Sequence, residues 1–216
     1  MTTKLFRFSI FICGLMLSVA SCNSDDDLTN YEACAYEIVN SPTDDVVSAE
    51  EEAFAESLFA ANTIASDALQ ITAVSTDLYL NDHVYCNQFL NGLQILNQDL
   101  IYHFDADGAF YQLSGYRITE TELDTEKRLT ENYVTDFFLN EVAEDAANAL
   151  ELDDIITDCV DIQFGYYEQF TGGIDYEVIS LVKAWKVTPH DADYPVLYLN
   201  DSNSDLIYYG NGIQSN

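Results

Sequence analysis

Three histidines and a surplus of carboxylates are the residues of this chain best equipped for chemistry, and their spacing argues against most of it. A zinc hydrolase needs two histidines one helical turn apart, as in H-E-x-x-H, so that both rings reach one ion. His83, His103 and His190 are scattered instead. Each reads as a strand or loop residue with an ordinary hydrogen-bond partner, and no metal site is expected. Asp201-x-Asn203-x-Asp205 begins like a calcium loop, but Leu206 and Gly212 stand where that loop needs glycine and glutamate, so the segment reads as a turn. Asp25 to Asp27, Asp105 and Asp107 could hold calcium weakly, yet acidic turns arise anyway in a chain with 38 acidic residues. For the same reason paired carboxylates say nothing here about glycoside hydrolysis. There is no G-x-S-x-G elbow, no cysteine with a recognisable histidine partner motif, no P-loop and no dinucleotide glycine fingerprint. The chain is expected not to be an enzyme, with no catalytic residue and no cofactor.

Recognition is the chemistry that remains. Tyr166-Tyr167 and Tyr208-Tyr209 put one ring on each face of a strand, so one of each pair can face outward for a peptide or sugar to stack on. The alternative is that these rings cap a sheet edge or pack under a helix. Trp185, the only tryptophan, reads as core. Tyr166 and Tyr208 are candidate surface residues, together with two turns: Asn91-Gly92, and the acidic turn containing Asp105, Asp107 and Gly108.

The elements that would carry them are legible in turn and cap residues. Ser48-Ala49-Glu50-Glu51 has capping-box spacing, and Phe54, Leu58, Ala61 and Ala65 follow on one expected helical face, giving a helix near 49–62. A strand from about Gln70 to Leu80 precedes an antiparallel meander from His83 to Gly115. In it Asn91-Gly92 and Asp107-Gly108 supply the positive-φ turn residues, and Leu100, Tyr102 and Phe104 alternate with Ile101 and His103. The charged stretch 120–128 lacks periodicity and reads as a linker, with Lys127-Arg128 as a solvated pair. Thr130 caps a second helix whose face is Val134, Phe138, Val142, Ala146 and Leu150. Strands at about 155–167, 176–187, 196–200 and 206–209 complete the chain, with turns at 171–173 and 201–205.

Gln88, Gly92, Ile95 and the run DLIYHFDADGAFYQLSG resemble the fungalysin/thermolysin propeptide family, in which a Q-x-x-x-G hairpin is followed by a strand, a D-x-x-G turn and a strand ending in glycine. The resemblance spans about residues 46–118, and Asn97 departs from it where the family often has a small residue. The second half resembles a PepSY domain: LVKAWKV at 181–187 stands for that family's L-x-W-x-V-like strand. Residues 198–207 stand for its ending, with Ser204-Asp205 replacing the usual Thr-Gly. The resemblance implies a propeptide without its peptidase, able to bind or inhibit a thermolysin-like metalloprotease in trans. The rival reading is a surface module for an extended peptide or a glycan.

Residues 1–21 read as a secretory signal, with Lys4 and Arg7 ahead of an apolar run too short to span a bilayer. Val19-Ala20-Ser21-Cys22 resembles a bacterial lipobox, which implies lipidation at Cys22, membrane attachment through that anchor and residence on the outer membrane, exposed at the surface. The segment 22–45 reads as an acidic tether. From Cys22 onward five basic residues face 38 acidic ones, a net charge of −33 that repels nucleic acid and steers toward basic partners. Cys34, Cys86 and Cys159 then remain in an oxidising compartment. They read either as buried thiols or as one disulfide and a spare, with Cys86–Cys159 the favoured pair and Cys34 able to replace either. The expected architecture is α+β: two helix-plus-antiparallel-sheet units, 46–119 and 129–216, joined by the linker.

Overall fold

The computed structural model describes residues 36–39, 47–119, 124–145, 159–170, 178–190 and 192–212. The segment read as a signal, Cys22, the Asp25 to Asp27 run, Cys34 and the turn expected at Thr171 to Gly173 lie outside them. In chain order the elements are β1 (Tyr36–Ile38), α1 (Ala49–Ala61), β2 (Leu69–Thr76), β3 (Asp82–Leu90), β4 (Leu93–Gln94), β5 (Leu100–Phe104) and β6 (Phe110–Ser114). They continue as α2 (Glu131–Glu144), β7 (Val160–Phe170), β8 (Val178–Pro189), β9 (Val196–Asn200) and β10 (Leu206–Gly210). The fold is mixed α+β and rich in strand.

Ser48 starts α1 through the expected capping box: its hydroxyl accepts from the Glu51 N–H, and the Glu51 carboxylate takes the Ser48 N–H at 3.0 Å. The buried face is not the expected one. Ala55, Leu58 and Phe59 pack on Val84, Cys86, Leu100, Tyr102 and Phe104, whereas Phe54, Ala61 and Ala65 are exposed. At about 100° per residue the expected stripe keeps to one line, but the buried residues are centred about 80° further round the helix, and the two faces share only Leu58. The meander follows its turns: Asn91 (φ 51°), Gly92 (φ 83°) and Gly108 (φ 78°) are left-handed as those turns require. The first sheet runs β2-β3-β5-β6, with β4 folded back on β3.

In the second unit Thr130 caps α2 as expected, and Val134, Phe138 and Val142 are buried with Thr135 and Leu139. Ala146 and Leu150 lie outside the described residues. This helix covers Ile162, Phe164, Trp185, Val187, Leu197 and Leu199 of a sheet ordered β1-β7-β8-β9-β10. Its pairs are antiparallel except the first, where Tyr36, Glu37 and Ile38 pair in parallel with Val160, Asp161 and Ile162. The stretch expected to be tether thus supplies an edge strand.

The described part of the expected linker, residues 124–128, is also part of the fold. Asp201 is fully buried, and its carboxylate accepts from the Arg128 and Leu129 N–H groups and from Trp185 Nε1, at 2.9–3.0 Å. Lys183, itself buried, lies 3.7 Å from Asp201 and donates to Asp124 and to the Glu126 carbonyl. Lys127, expected to be solvated, sits 4.7 Å above the Trp185 ring while pairing with Glu131.

Candidate functional site

Asp82 pairs with Phe104, so the β2–β3 connection and the β5–β6 turn emerge at the same end of the first sheet. The β2–β3 connection is Asp77-Leu78-Tyr79-Leu80-Asn81, and its three apolar side chains are 98%, 82% and 66% exposed. Folded proteins rarely leave three consecutive large apolar residues in water. The tip is held in shape: the Asp77 carboxylate accepts from Tyr79 N (2.8 Å), Asn81 N (2.9 Å) and Asn81 Nδ2 (3.0 Å), while Leu80 is left-handed at φ 66°. The Asn81 N–H above all holds the Asp77 carboxyl below the usual carboxylate range. Beside it, Asp105 accepts from Asp107 N (3.0 Å) and Ala109 N (2.8 Å). Asn62, capping the end of α1, bonds Gly108 O and Phe110 N. The predicted acidic surface at Asp105 and Asp107 is therefore a stapled turn next to an apolar tip. In the sequence the tip reads as the end of a strand; the local sign of a turn there is an aspartate and an asparagine bracketing three apolar residues.

A polar chain crosses the same sheet. His83 Nδ1 and His103 Nδ1 are 2.7 Å apart, His103 Nε2 is 2.8 Å from Ser114 Oγ, and His83 Nε2 is 3.6 Å from Asp77. The two Nδ1 atoms can share only one proton, because a second sets two N–H groups against each other. Burial first and the His83 charge second hold the His103 pKa below its ordinary value.

The other predicted surface is occupied. Asn91 and Gly92 are exposed, but the chain that follows them enters the junction between the units. Leu96 N donates to Tyr166 O (2.8 Å), Ile95 bridges Tyr166 in parallel, and Asn97 bonds the Glu168 backbone twice, N–H to Oδ1 and Nδ2–H to O. Asn97, the departure from the family pattern, thus continues the pairing with its side chain. Gly165 makes the close approach possible, since a Cβ there would lie 2.4 Å from Gln94 O. Tyr166 is 1% exposed and packs with Leu90 and Ile95, so it is no surface residue. A docking strand buries it, which the tyrosine pair alone could not show.

Cys86 and Cys159 are not joined. Cys86 is a free thiol in the core under α1, where burial pushes it up to about 12; Cys159 packs against the separate core under α2. Cys34 lies outside the described residues.

Tyr208 is exposed, as expected of a surface residue, and lines an open cleft with Glu141, Glu144, Asp145, Tyr194 and the chain from Tyr209 to Gly212. The acids of this cleft were indistinguishable in sequence from the rest.

Residues 67–115 match the family model of the Fungalysin/Thermolysin Propeptide Motif. The chain therefore carries a propeptide-type domain, a kind of module that has no catalysis of its own. Its pattern residues have visible jobs: Gln88 clamps Ile118 in both directions, Gly92 makes the hairpin turn, and Ile95 is buried at the junction. No curated protein matches the chain.

Proposed function

We propose that the protein is a non-catalytic, propeptide-like binding protein, lipidated at Cys22 and displayed on the outer membrane of a bacterium, that engages a thermolysin-like metalloprotease in trans. On this reading the second unit is a PepSY-like companion that braces the propeptide-type sheet. One observation carries the binding role: the propeptide-type domain presents a rigid apolar tip, Leu78-Tyr79-Leu80, at the sheet end that also bears Asp77, Asp82, Asp105 and Asp107. Such a surface suits a partner with an apolar pocket and a basic rim, and the net charge from Cys22 onward, 5 − 38 = −33, speeds the encounter.

The test uses a soluble form beginning at Ser24 and a panel of co-expressed metalloproteases. Binding is expected to weaken as salt rises and to fall about tenfold to a hundredfold in Leu78→Asp, the range for losing one buried leucine from an interface. At 98% exposure Leu78 contributes little to the fold, so circular dichroism should not change. Equal binding by Leu78→Asp, or no binding to any protease of the panel, would favour the peptide- or glycan-binding module.

A further inference from the structure

The end of the second sheet carries a cleft that the hairpin end does not use. It encloses about 580 Å³ between the last turn of α2, Tyr194 ahead of β9, and the chain from Tyr208 to Gly212. That volume is in the range of small-ligand sites and far larger than a single metal ion needs.

Its lining has one sign of charge. Glu141, Glu144 and Asp145 gather at the C-terminal end of α2, and no lysine or arginine lies among the described residues that line the cleft. A helix end already carries the partial negative charge of its last carbonyl groups and is normally furnished with basic residues. The last turn of α2 has none. Acids placed there repel both the helix end and one another. In keeping with this, burial and the neighbouring Glu144 charge raise the Glu141 carboxyl above its ordinary value.

The aromatic side of the cleft depends on two glycines. A Cβ on Gly210 would lie 2.6 Å from the Tyr208 hydroxyl, and one on Gly212, at φ 75°, would lie 2.8 Å from Tyr194 Cβ. Bare backbone at these two positions lets both tyrosines lie against the chain, half-exposed beside the acids. Tyrosine faces and carboxylates share one preference, for a cation that is organic enough to be stacked on.

We propose that this cleft binds a ligand bearing an ammonium or guanidinium group, held between the α2 carboxylates and the Tyr194 and Tyr208 rings. The inference goes beyond the protease-binding reading and does not depend on it. Arginine side chains and free polyamines both carry this chemistry.

The experiment titrates the soluble chain from Ser24 with arginine amide, spermidine and tetramethylammonium, followed by tyrosine ring signals in NMR spectra. Saturable binding is expected, weakened about tenfold in Glu141→Gln/Glu144→Gln and in Tyr208→Ala but kept in Tyr208→Phe, which retains the ring. Arginine amide binding alone would support an arginine-bearing ligand, and spermidine alone a free polyamine. The charge double variant decides the matter if Tyr208→Ala fails to fold. Absence of saturable binding by all three cations up to about 10 mM would overturn the proposal. So would cation binding that is unchanged in the double variant, or binding of a neutral oligosaccharide without any cation.

Discussion

Asp201 offers the sharpest test of how the second unit is held together. Replacing it with alanine removes the acceptor from three donors at once: the indole N–H of fully buried Trp185, the N–H of half-buried Leu129, and the N–H of Arg128, which water can partly reach. It also leaves the buried Lys183 ammonium without the carboxylate 3.7 Å away. Each stranded buried donor costs about 1–3 kcal/mol, and breaking a buried charge pair costs about 3–5 kcal/mol in all; the two figures overlap in what they count, so Asp201→Ala is expected to lose about 3–5 kcal/mol. Asp201→Asn keeps an acceptor where Oδ1 receives Trp185 and Leu129, and loses mainly the attraction to Lys183. Its expected cost is smaller, about 1–2 kcal/mol, and should shrink in a Lys183→Met background because the two residues are coupled. Urea unfolding followed by far-ultraviolet circular dichroism measures the parent and the four variants, Lys183→Met alone among them. Trp185 fluorescence is a second probe but loses its own bond to Asp201. An Asp201→Ala cost below about 1 kcal/mol, or asparagine as damaging as alanine, would refute the account of this carboxylate as a structural acceptor.

Three further outcomes are expected. Glu168 is buried at the junction with Tyr116 donating to it at 2.8 Å, and burial outweighs that bond, raising its pKa. A raised carboxyl binds its proton more tightly folded than unfolded, so its contribution is present below the ordinary value and is lost as pH rises through the folded one. Glu168→Gln should therefore gain stability relative to the parent at pH 7 and show less advantage at pH 4, as thermal melts at the two pH values would show; an advantage that grows toward acid would contradict the sign. Gly165→Ala drives a methyl group into Gln94 O and the Leu96 side chain and should cost about 1–3 kcal/mol, read as a lower urea midpoint together with faster proteolysis at the junction. Cys22→Ala should move the protein out of the membrane fraction, since the lipid is the proposed anchor; fatty-acid labelling that persists in that variant would count against lipidation at this residue.

Local chemistry made most of the elements legible, and long-range pairing decided what sequence could not. The Asn91-Gly92 turn, the Ser48 capping box and the Thr130 cap are each specified by residues within a few positions, and all three formed as read. β1 escaped because a strand of only three residues carries no readable alternation, and its partner β7 lies far along the chain. Tyr166 and Tyr208 belong to identical Tyr-Tyr pairs, yet one is buried by the segment from Ile95 to Asn97 and the other faces the cleft. No local pattern separates them, because the burying segment belongs to the other unit.

The carboxylates show the same division in energetic form. Asp77, Asp105 and Asp201 look alike in sequence as turn aspartates, and each proves to be filled by backbone donors within about one turn or across the fold. For Asp77 and Asp105 those bonds fix the shape of exposed turns, whereas Asp201 is buried and its charge is satisfied wholly inside the fold. Glu141 and Glu144 sit where backbone carbonyls, not N–H groups, converge, so the fold gives them neighbours of their own sign. Among 38 acidic residues that contrast in surroundings, invisible in composition, separates carboxylates that build the molecule from those placed to meet a cation.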